Sequence, residues 1–239
     1  MTWSIIARDA ADGAFGVAIA TRFFAAGALC PHAESGVGAL STQALVNPHY
    51  GKQGLELLRA GMAAPEVVKR LVAPDEGREQ RQLHVIDNAG RIGQHTGAQC
   101  IDWCGAVAGG GFSVAGNMLA GPRVISETAE AFRKSHRPFA ERLIAALEAG
   151  EAAGGDKRGK QSAALIIYST EDYPKLNLRV DDHAEPLVEL RRLYEKAHER
   201  FIPYLHCGPS KARPWGILDR QQIEEEILRF QKASGRTVT

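Results

Sequence analysis

The chain has 239 residues, and 29 Lys and Arg balance 28 Asp and Glu to a formal net charge of +1. Such a balance leaves no basic surface for nucleic acid or an anionic membrane, so neither is expected as a partner. The apolar runs are shorter than the ~18 to 20 residues of a membrane span. With no visible signal peptide and only four cysteines, the sequence predicts a compact cytoplasmic protein.

Potential metal ligands are few. Cys100 and Cys104 lack a matching second pair, which favours two ordinary, partly buried thiols. The run from Asp181 to His183 has two interpretations, a cation site or a hairpin end with solvated carboxylates. We therefore expect no metal and no cofactor.

The chain begins with a predicted hairpin, in which strands over 2–8 and 15–21 flank a turn at 9–13. A third strand is predicted over 37–44. Asn47 and Pro48 are typical of a helix start, and that helix is predicted over 48–60. Further strands are predicted over 82–87, 91–96, 162–168 and 176–180, and further helices over 64–71, from Pro122, and over 138–153, 186–204 and 221–233.

The segment 154–170 joins two contrasting halves. Residues 162–168 are apolar, as in a strand buried on both faces. The preceding loop contains Asp156 and Lys160 between glycines, and it places polar side chains at the mouth of that strand. The alternative is a solvated loop before a core strand.

The order of strands, helix pair, strands, helix pair and strands predicts an α+β fold: a four-layer α/β/β/α sandwich with antiparallel sheets. The glycine fingerprint of a parallel dinucleotide-binding sheet is missing. We predict one domain over 1–204, followed over 205–239 by a linker and a C-terminal amphipathic helix. That helix has no predicted partner helix, so it packs on the domain or on another subunit of a homo-oligomer.

Several stretches together carry a family resemblance over roughly residues 2 to 200. The chain resembles the bacterial family called domain of unknown function 1028, whose fold is similar to that of the N-terminal-nucleophile (Ntn) hydrolases. The stretches are Thr2-Trp-Ser-Ile-Ile-Ala-Arg-Asp9, Gly16-Val-Ala-Ile-Ala-Thr-Arg22, Thr42-Gln-Ala44, Asn47-Pro48, Tyr50-Gly51, Gly116-Asn117, Leu119-Ala-Gly-Pro122, Gly154-Gly-Asp156 and Arg179-Val-Asp-Asp-His183.

This resemblance implies that Thr2, after removal of Met1, attacks an amide with its own α-amine as the base. An α-amine titrates near ~7.7 to 8.0, so part of it is neutral at cellular pH. The alternative for Thr2 is an ordinary residue at a strand end. The sequence also departs from proteasome-type enzymes, because no Lys lies between Thr2 and Lys52. Arg8, Arg22 or His32 would have to replace that charge.

The resemblance implies further site residues. Asp156 is the acid that orients the amine, Asn117 contributes to catalysis, and the backbone at Ser41 to Gln43 offers N–H groups to an oxyanion. Gln43 and Asn117 can instead satisfy turn backbone. The remaining substrate-binding candidates are Arg8, Arg22, Asn47 and Lys160.

The sequence therefore predicts an amide hydrolase of Ntn type that acts on a small amide, an acylated amino acid or a peptide fragment. The alternative is a non-catalytic protein that retains the fold and binds a small polar metabolite through Arg8, Arg22, Asp156 and Lys160. A third possibility is a subunit of an assembly. Whether the chain is an enzyme is left open by the residues themselves.

Overall fold

The computed structural model describes residues 2–234, which form a mixed α and β structure with antiparallel sheets. The ten strands in this range are β1 (Thr2–Arg8), β2 (Phe15–Thr21), β3 (Pro31–Glu34), β4 (Gly38–Ala44), β5 (Arg81–Asp87), β6 (Ile92–Thr96), β7 (Gly105–Gly109), β8 (Phe112–Asn117), β9 (Ser162–Tyr168) and β10 (Leu176–Val180).

Seven α-helices connect and follow these strands within the same residues. They are α1 (His49–Arg59), α2 (Ala64–Val72), α3 (Arg123–Lys134), α4 (Phe139–Ala152), α5 (Pro186–Glu199), α6 (Phe201–Cys207) and α7 (Arg220–Ser234). Two short 3₁₀ turns lie at Ala26–Ala28 and Arg78–Gln80.

The strands form two sheets. The first sheet has six strands in the order β10-β9-β2-β1-β8-β7, and the second has four in the order β3-β4-β5-β6. All pairings are antiparallel. β1 lies inside the first sheet between β2 and β8, which explains why the first strand of the chain is so apolar.

Helices contact both sheets, and the two sheets contact each other. α1 and α2 pack on the second sheet around Leu40, Val67 and Leu83. α3 and α4 contact strands of the first sheet, and between the sheets an apolar cluster joins Ile6 to Ile86. Because side chains alternate along a strand, the even-numbered residues of β1 and β5 face the space between the sheets.

The predictions from the sequence need correction at three strands and one helix. β3 was not predicted, since it has four residues, begins with Pro31 and is only alternately buried. β7 and β8 were not predicted either, because they meet at the glycine run from Gly109 to Gly111. The single helix predicted over 186–204 is two helices, because Arg200 leaves helical geometry at φ −143° and ψ −38°. Pro203 would have no N–H for the carbonyl of Glu199 in a continuous helix, so the chain breaks one turn earlier.

Contacts divide the chain into one unit over Met1–Leu190 and another over Arg191–Thr239. The predicted boundary at residue 204 falls inside α6. In the second unit α7 does have a partner helix, since it packs on α6, where His206 stacks on Phe230 with ring centroids 5.3 Å apart. Across 2–234, no helix combines the length and apolar character that a membrane span requires.

Candidate functional site

Thr2 is the first residue of β1 and is only 6% exposed. It is paired with Asn117 of β8, and its hydroxyl contacts that of Thr21 in β2 at 3.2 Å. Its side chain faces the second sheet and a cavity of about 50 Å³ that Phe23, Leu29, Cys30, Gln43 and Ala44 also line. This volume suits a few water molecules or one small functional group.

A larger cavity of about 470 Å³ adjoins this end of the sheet. Its volume is within the range of small-molecule sites. Asn117, the pairing partner of Thr2, lines it, and Ala44 lines both cavities, so the two spaces share a wall. Leu45, Gln80, Gln99 and Ile101 line its outer part.

Ala44 ends β4 in a left-handed conformation, with φ at +70°. An Ala in this region is uncommon and marks local strain. The backbone N–H of Thr42 donates to Cys30 O at 3.1 Å, and N–H groups two residues apart on a strand point to the same side. The Ala44 N–H therefore points past the start of β3, toward the cavity at Thr2. Nothing in the sequence distinguishes this alanine, so it was missed.

A chain of buried polar side chains, here called the polar network, crosses between the two sheets beside Thr2. Ser4 donates to Gln43 Oε1 at 2.6 Å and lies 2.9 Å from His84 Nε2. Gln43 Nε2 donates to Ala115 O at 3.1 Å and to Gln82 Oε1 at 2.8 Å. The backbone carbonyl of Ala115 fixes the orientation of the Gln43 amide. Both amide hydrogens of Gln43 are donated, one to Ala115 and one to Gln82.

Gln82 links this network to Asn117. Its Nε2 lies within 3.2 Å of the carbonyl oxygens of Gly105 and Gly116, and those two acceptors fix its orientation. Its Oε1 accepts from Asn117 Nδ2 at 3.0 Å as well as from Gln43. The Asn117 amide is thereby held in one orientation, with its oxygen and one hydrogen left for other partners.

His84 is fully buried and neutral. Burial lowers the pKa of its imidazole to about 3. Because the hydrogen of Ser4 goes to Gln43, Ser4 must accept from His84 Nε2, and Nδ1 then accepts from Ser113 Oγ at 2.9 Å. This assignment follows from the hydrogen-bond partners. Gln82 and His84 were both missed by sequence reasoning, although their alternation with Leu83 and Val85 was a usable signal of one polar face.

Asp156 lies in a loop that joins both strands beside β1. Its Oδ2 accepts from the backbone N–H of Arg22, directly after β2, at 2.7 Å. A bridge between Asp156 and Leu119, together with the Ala120 N–H to Gly155 O hydrogen bond, attaches the same loop to the chain after β8. The carboxylate also forms an ion pair with Arg158 at 3.2 Å. Asp156 thus stabilises the Thr2 end of the sheet through backbone contacts.

A model for a family of unknown function, DUF1028, matches residues 2–190. The chain belongs to the DUF1028 family. The crystal structure of protein SPO2555 from Silicibacter pomeroyi, which matches the same family model, is 32% identical over 92% of this chain and 96% of that one, with a TM-score of 0.85.

More distant structural matches are Anbu (ancestral beta-subunit) from Yersinia bercovieri and Anbu from Hyphomicrobium sp. strain MC1. Their TM-scores are 0.40 and 0.38, and each is 11% identical to this chain. Each match covers 82% of this chain and 94% of the Anbu chain. At such scores they support no argument about this DUF1028 member. No curated protein matches the chain.

The other predicted residues of this DUF1028 chain are dispersed. Arg8 ends β1, six residues from Thr2 and hence about 20 Å away at ~3.4 Å per residue, so the structure does not bring it to this site. Arg22 does lie near Thr2, but its guanidinium donates to Arg158 O at 2.6 Å. Ser41 donates to Gln43 Oε1 at 3.2 Å and belongs to the polar network.

Lys160 and Asn47 serve neighbouring loops. Lys160 is paired with Glu185 at 2.7 Å and Glu151 at 3.4 Å, and the hydrogen bond to Glu185 raises its pKa. Asn47 accepts from the His49 N–H at 3.2 Å, which supports the start of α1, and donates to Asp75 at 3.3 Å.

Two further groups lie away from Thr2. The hydroxyl of Tyr50 donates to Asp75 at 2.6 Å and holds the pKa of that carboxyl well below its usual range. His32 packs against Gly51 of α1, on the face of β3 opposite to that of Ala33, which contacts the first sheet. His32 therefore does not replace the missing lysine. Among the described residues, no three His, Cys, Asp or Glu side chains are grouped as metal ligands would be.

Proposed function

We propose that this chain is an amide hydrolase of Ntn type, in which Thr2 becomes the nucleophile once Met1 is removed. The observation that carries the proposal is the position of Thr2. Its hydroxyl is on a central, buried strand, it faces a cavity, and Asn117 and Thr21 flank it on the neighbouring strands. The contacts of α1 and α2 with the second sheet, and of α3 and α4 with the first, support the four-layer α/β/β/α arrangement that this proposal assumes. Met1 lies outside the described residues.

The chemistry needs few groups. The neutral α-amine of Thr2 accepts the proton of Oγ1 as that oxygen bonds to the substrate carbonyl carbon. The carbonyl oxygen becomes an oxyanion, and the Ala44 N–H, which points toward the same cavity by strand alternation, is the backbone donor we assign to it. The ammonium then gives its proton to the leaving nitrogen, the C–N bond breaks, and water hydrolyses the acyl ester on Thr2.

Other candidates act through position. Gln82 orients the amide of Asn117, which leaves an oxygen and one hydrogen to contact the amine or the substrate. Asp156 holds the backbone at Arg22 and so fixes Thr21, whose hydroxyl contacts Thr2. In this proposal Asp156 is a positioning residue, and its charge is shared with Arg158.

The test compares one preparation before and after treatment with methionine aminopeptidase, with the N-terminus checked by intact mass. A panel of N-acyl amino acid p-nitroanilides and short peptide amides serves as substrates. The trimmed chain should hydrolyse at least one of them, Thr2→Ser should retain turnover, and Thr2→Ala should lose about 10³-fold or more in kcat/KM. Equal activity of the chain that keeps Met1 would refute this mechanism.

A binding protein without hydrolysis is the second candidate, and one contact favours it. The Asp156 carboxylate, the acid expected to orient the amine, forms an ion pair with Arg158 at 3.2 Å. Under this alternative, Thr2→Ala and wild type bind the same small polar ligand with equal affinity, and no trimmed preparation turns over any amide. Calorimetric titration beside the activity assay separates the two functions.

A further inference from the structure

The larger cavity beside Thr2 has uncharged walls. Its described lining residues carry amide, aliphatic, thiol and thioether side chains, and none of them bears a formal charge. Burial raises the pKa of the Cys100 thiol, so that group is neutral as well. A carboxylate or an ammonium entering this space would lose part of its hydration without gaining an opposite charge from these residues. We call this space the amide pocket, after Gln80, Gln99 and Asn117.

The three amides offer both donors and acceptors. Gln80 Nε2 donates to Gln99 Oε1 at 3.1 Å. The oxygen of Gln80 and the NH₂ group of Gln99 then remain for a ligand. If both amides were turned over, the same pair of one acceptor and one donor group would remain. At the floor, Asn117 has an amide fixed by Gln82. A peptide group or a carboxamide is complementary to such walls, because it too has one carbonyl and one N–H side.

The rim adds apolar contact area. Leu45 is 56% exposed and Ile101 is 54% exposed, and both line this cavity. Large aliphatic side chains beside a few placed polar groups are characteristic of sites that bind a ligand's apolar stem and read its polar end. A ligand side chain that has methylene groups and a terminal amide combines such an apolar stem with a neutral polar end.

The amide pocket is also near the proposed nucleophile. Asn117 is the strand partner of Thr2, and paired Cα atoms lie about 4.5 to 5.5 Å apart. Ala44 belongs to the walls of both cavities. A substrate whose amide carbonyl reaches Thr2 can extend past Ala44 into the larger space.

We propose that the amide pocket binds the uncharged, amide-bearing part of the substrate, so that the substrate class is a neutral peptide or a glutamine-like carboxamide. Substrates with a carboxylate or an ammonium in this position are discriminated against. This inference rests on the proposed function for its meaning in catalysis, but binding in the pocket is measurable without turnover.

The experiment uses the full chain with Thr2→Ala, so that no probe is consumed. Three probes share one scaffold: the N-acetyl methylamides of L-glutamine, L-glutamate and L-lysine. Their Kd values are measured by titration calorimetry and by saturation-transfer NMR. The glutamine probe should bind about tenfold more tightly than either charged probe.

Two matched variants locate that binding. Gln99→Glu places a carboxylate in the amide pocket and should weaken the glutamine probe about tenfold, while the lysine probe gains affinity. Gln53→Glu makes the same change at an exposed position of α1 and should alter neither Kd. Equal binding of the charged probes, an unchanged Kd in Gln99→Glu, or no binding of the glutamine probe at millimolar concentration would overturn the inference.

The outcomes also separate this inference from the proposed function. If the glutamine probe binds as expected but no trimmed chain hydrolyses an amide, the pocket assignment stands and the hydrolase assignment fails. If turnover depends on Thr2 but favours charged substrates, the hydrolase stands and the pocket assignment fails.

Discussion

The space between the two sheets has two unlike halves. In one half Ile6, Phe15, Val17 and Ile86 form an apolar cluster, and in the other half lies the polar network around Ser4, Gln43, Gln82 and His84. Ser4 and Ile6 are two positions apart on the same face of β1, so the boundary between the halves is sharp. The polar half is at the Thr2 end.

The two halves stabilise the fold in different ways. Apolar burial is non-directional and contributes about 25 cal/mol per Å². Buried amides contribute little net free energy even when every partner is present, and they cost much when one partner is lost. A protein that needed only stability would have extended the apolar cluster. The polar half instead fixes the orientation of the Asn117 side chain beside Thr2, as a ligand-binding or catalytic site requires.

The largest expected effect comes from Gln82→Leu. This change removes the shared acceptor of Gln43 and Asn117 and the donor to Gly105 and Gly116. We expect a loss of about 3 to 5 kcal/mol in the free energy of unfolding, measured in urea by circular dichroism. Gln53→Leu on the exposed face of α1 is the control and should stay within about 0.5 kcal/mol. A loss under about 1 kcal/mol for Gln82→Leu would mean that the network relaxes around a gap.

The next effect concerns pH. The folded-state pKa of His84 is about 3, while its unfolded value is near ~6.5. Between these values the unfolded chain binds the extra proton, so stability is complete above pH ~6.5 and falls as the pH is lowered.

From pH ~7.5 to ~5, wild type should lose about 2 kcal/mol more than His84→Gln, in which this titration is absent. The measurement is urea unfolding of both proteins across this range. His136→Gln, at an exposed position, is the control and should follow the wild-type curve. Parallel curves for wild type and His84→Gln would show that the pKa of His84 does not differ between the folded and the unfolded chain.

The smallest effect is expected in the apolar half. Ile86→Val removes one methyl group from the cluster between the sheets and should cost about 1 kcal/mol. Because no titratable group loses a partner, the cost should be the same at pH ~5 and ~7.5. A cost that varies with pH would mean that the two halves are coupled, contrary to the sharp boundary between them.

The elements were predictable where the local pattern is strong. The bounds of β1, β2, β9 and β10 agree with the predicted strands. β1, β2 and β9 are short apolar runs, β10 alternates apolar and polar residues, and turn residues or polar loops bound all four. β3 was not predicted, since half of its four residues are only partly buried. The break at Arg200 was also missed, although Pro203 was its sequence signal.

The candidate site was predictable in part. Through the family resemblance, the sequence predicted roles for Thr2, Asn117 and Asp156. The structure places these residues around the same end of the first sheet, and their roles stay predictions. It did not show that Gln43 and Ser41 face inward to the polar network, because a strand buried on both faces gives no sign of which face meets which layer. Gln82 and His84 matter through partners that are distant in sequence, and the sequence alone does not reveal such pairings.

The polar network also has a mechanical consequence. Hydrogen bonds between Ser4 and Gln43, Gln82 and Gly116, and His84 and Ser113 all cross from one sheet to the other. Sliding one sheet over the other would break these hydrogen bonds together, whereas two purely apolar faces would tolerate a small displacement. The polar network therefore opposes sliding of the two sheets against each other.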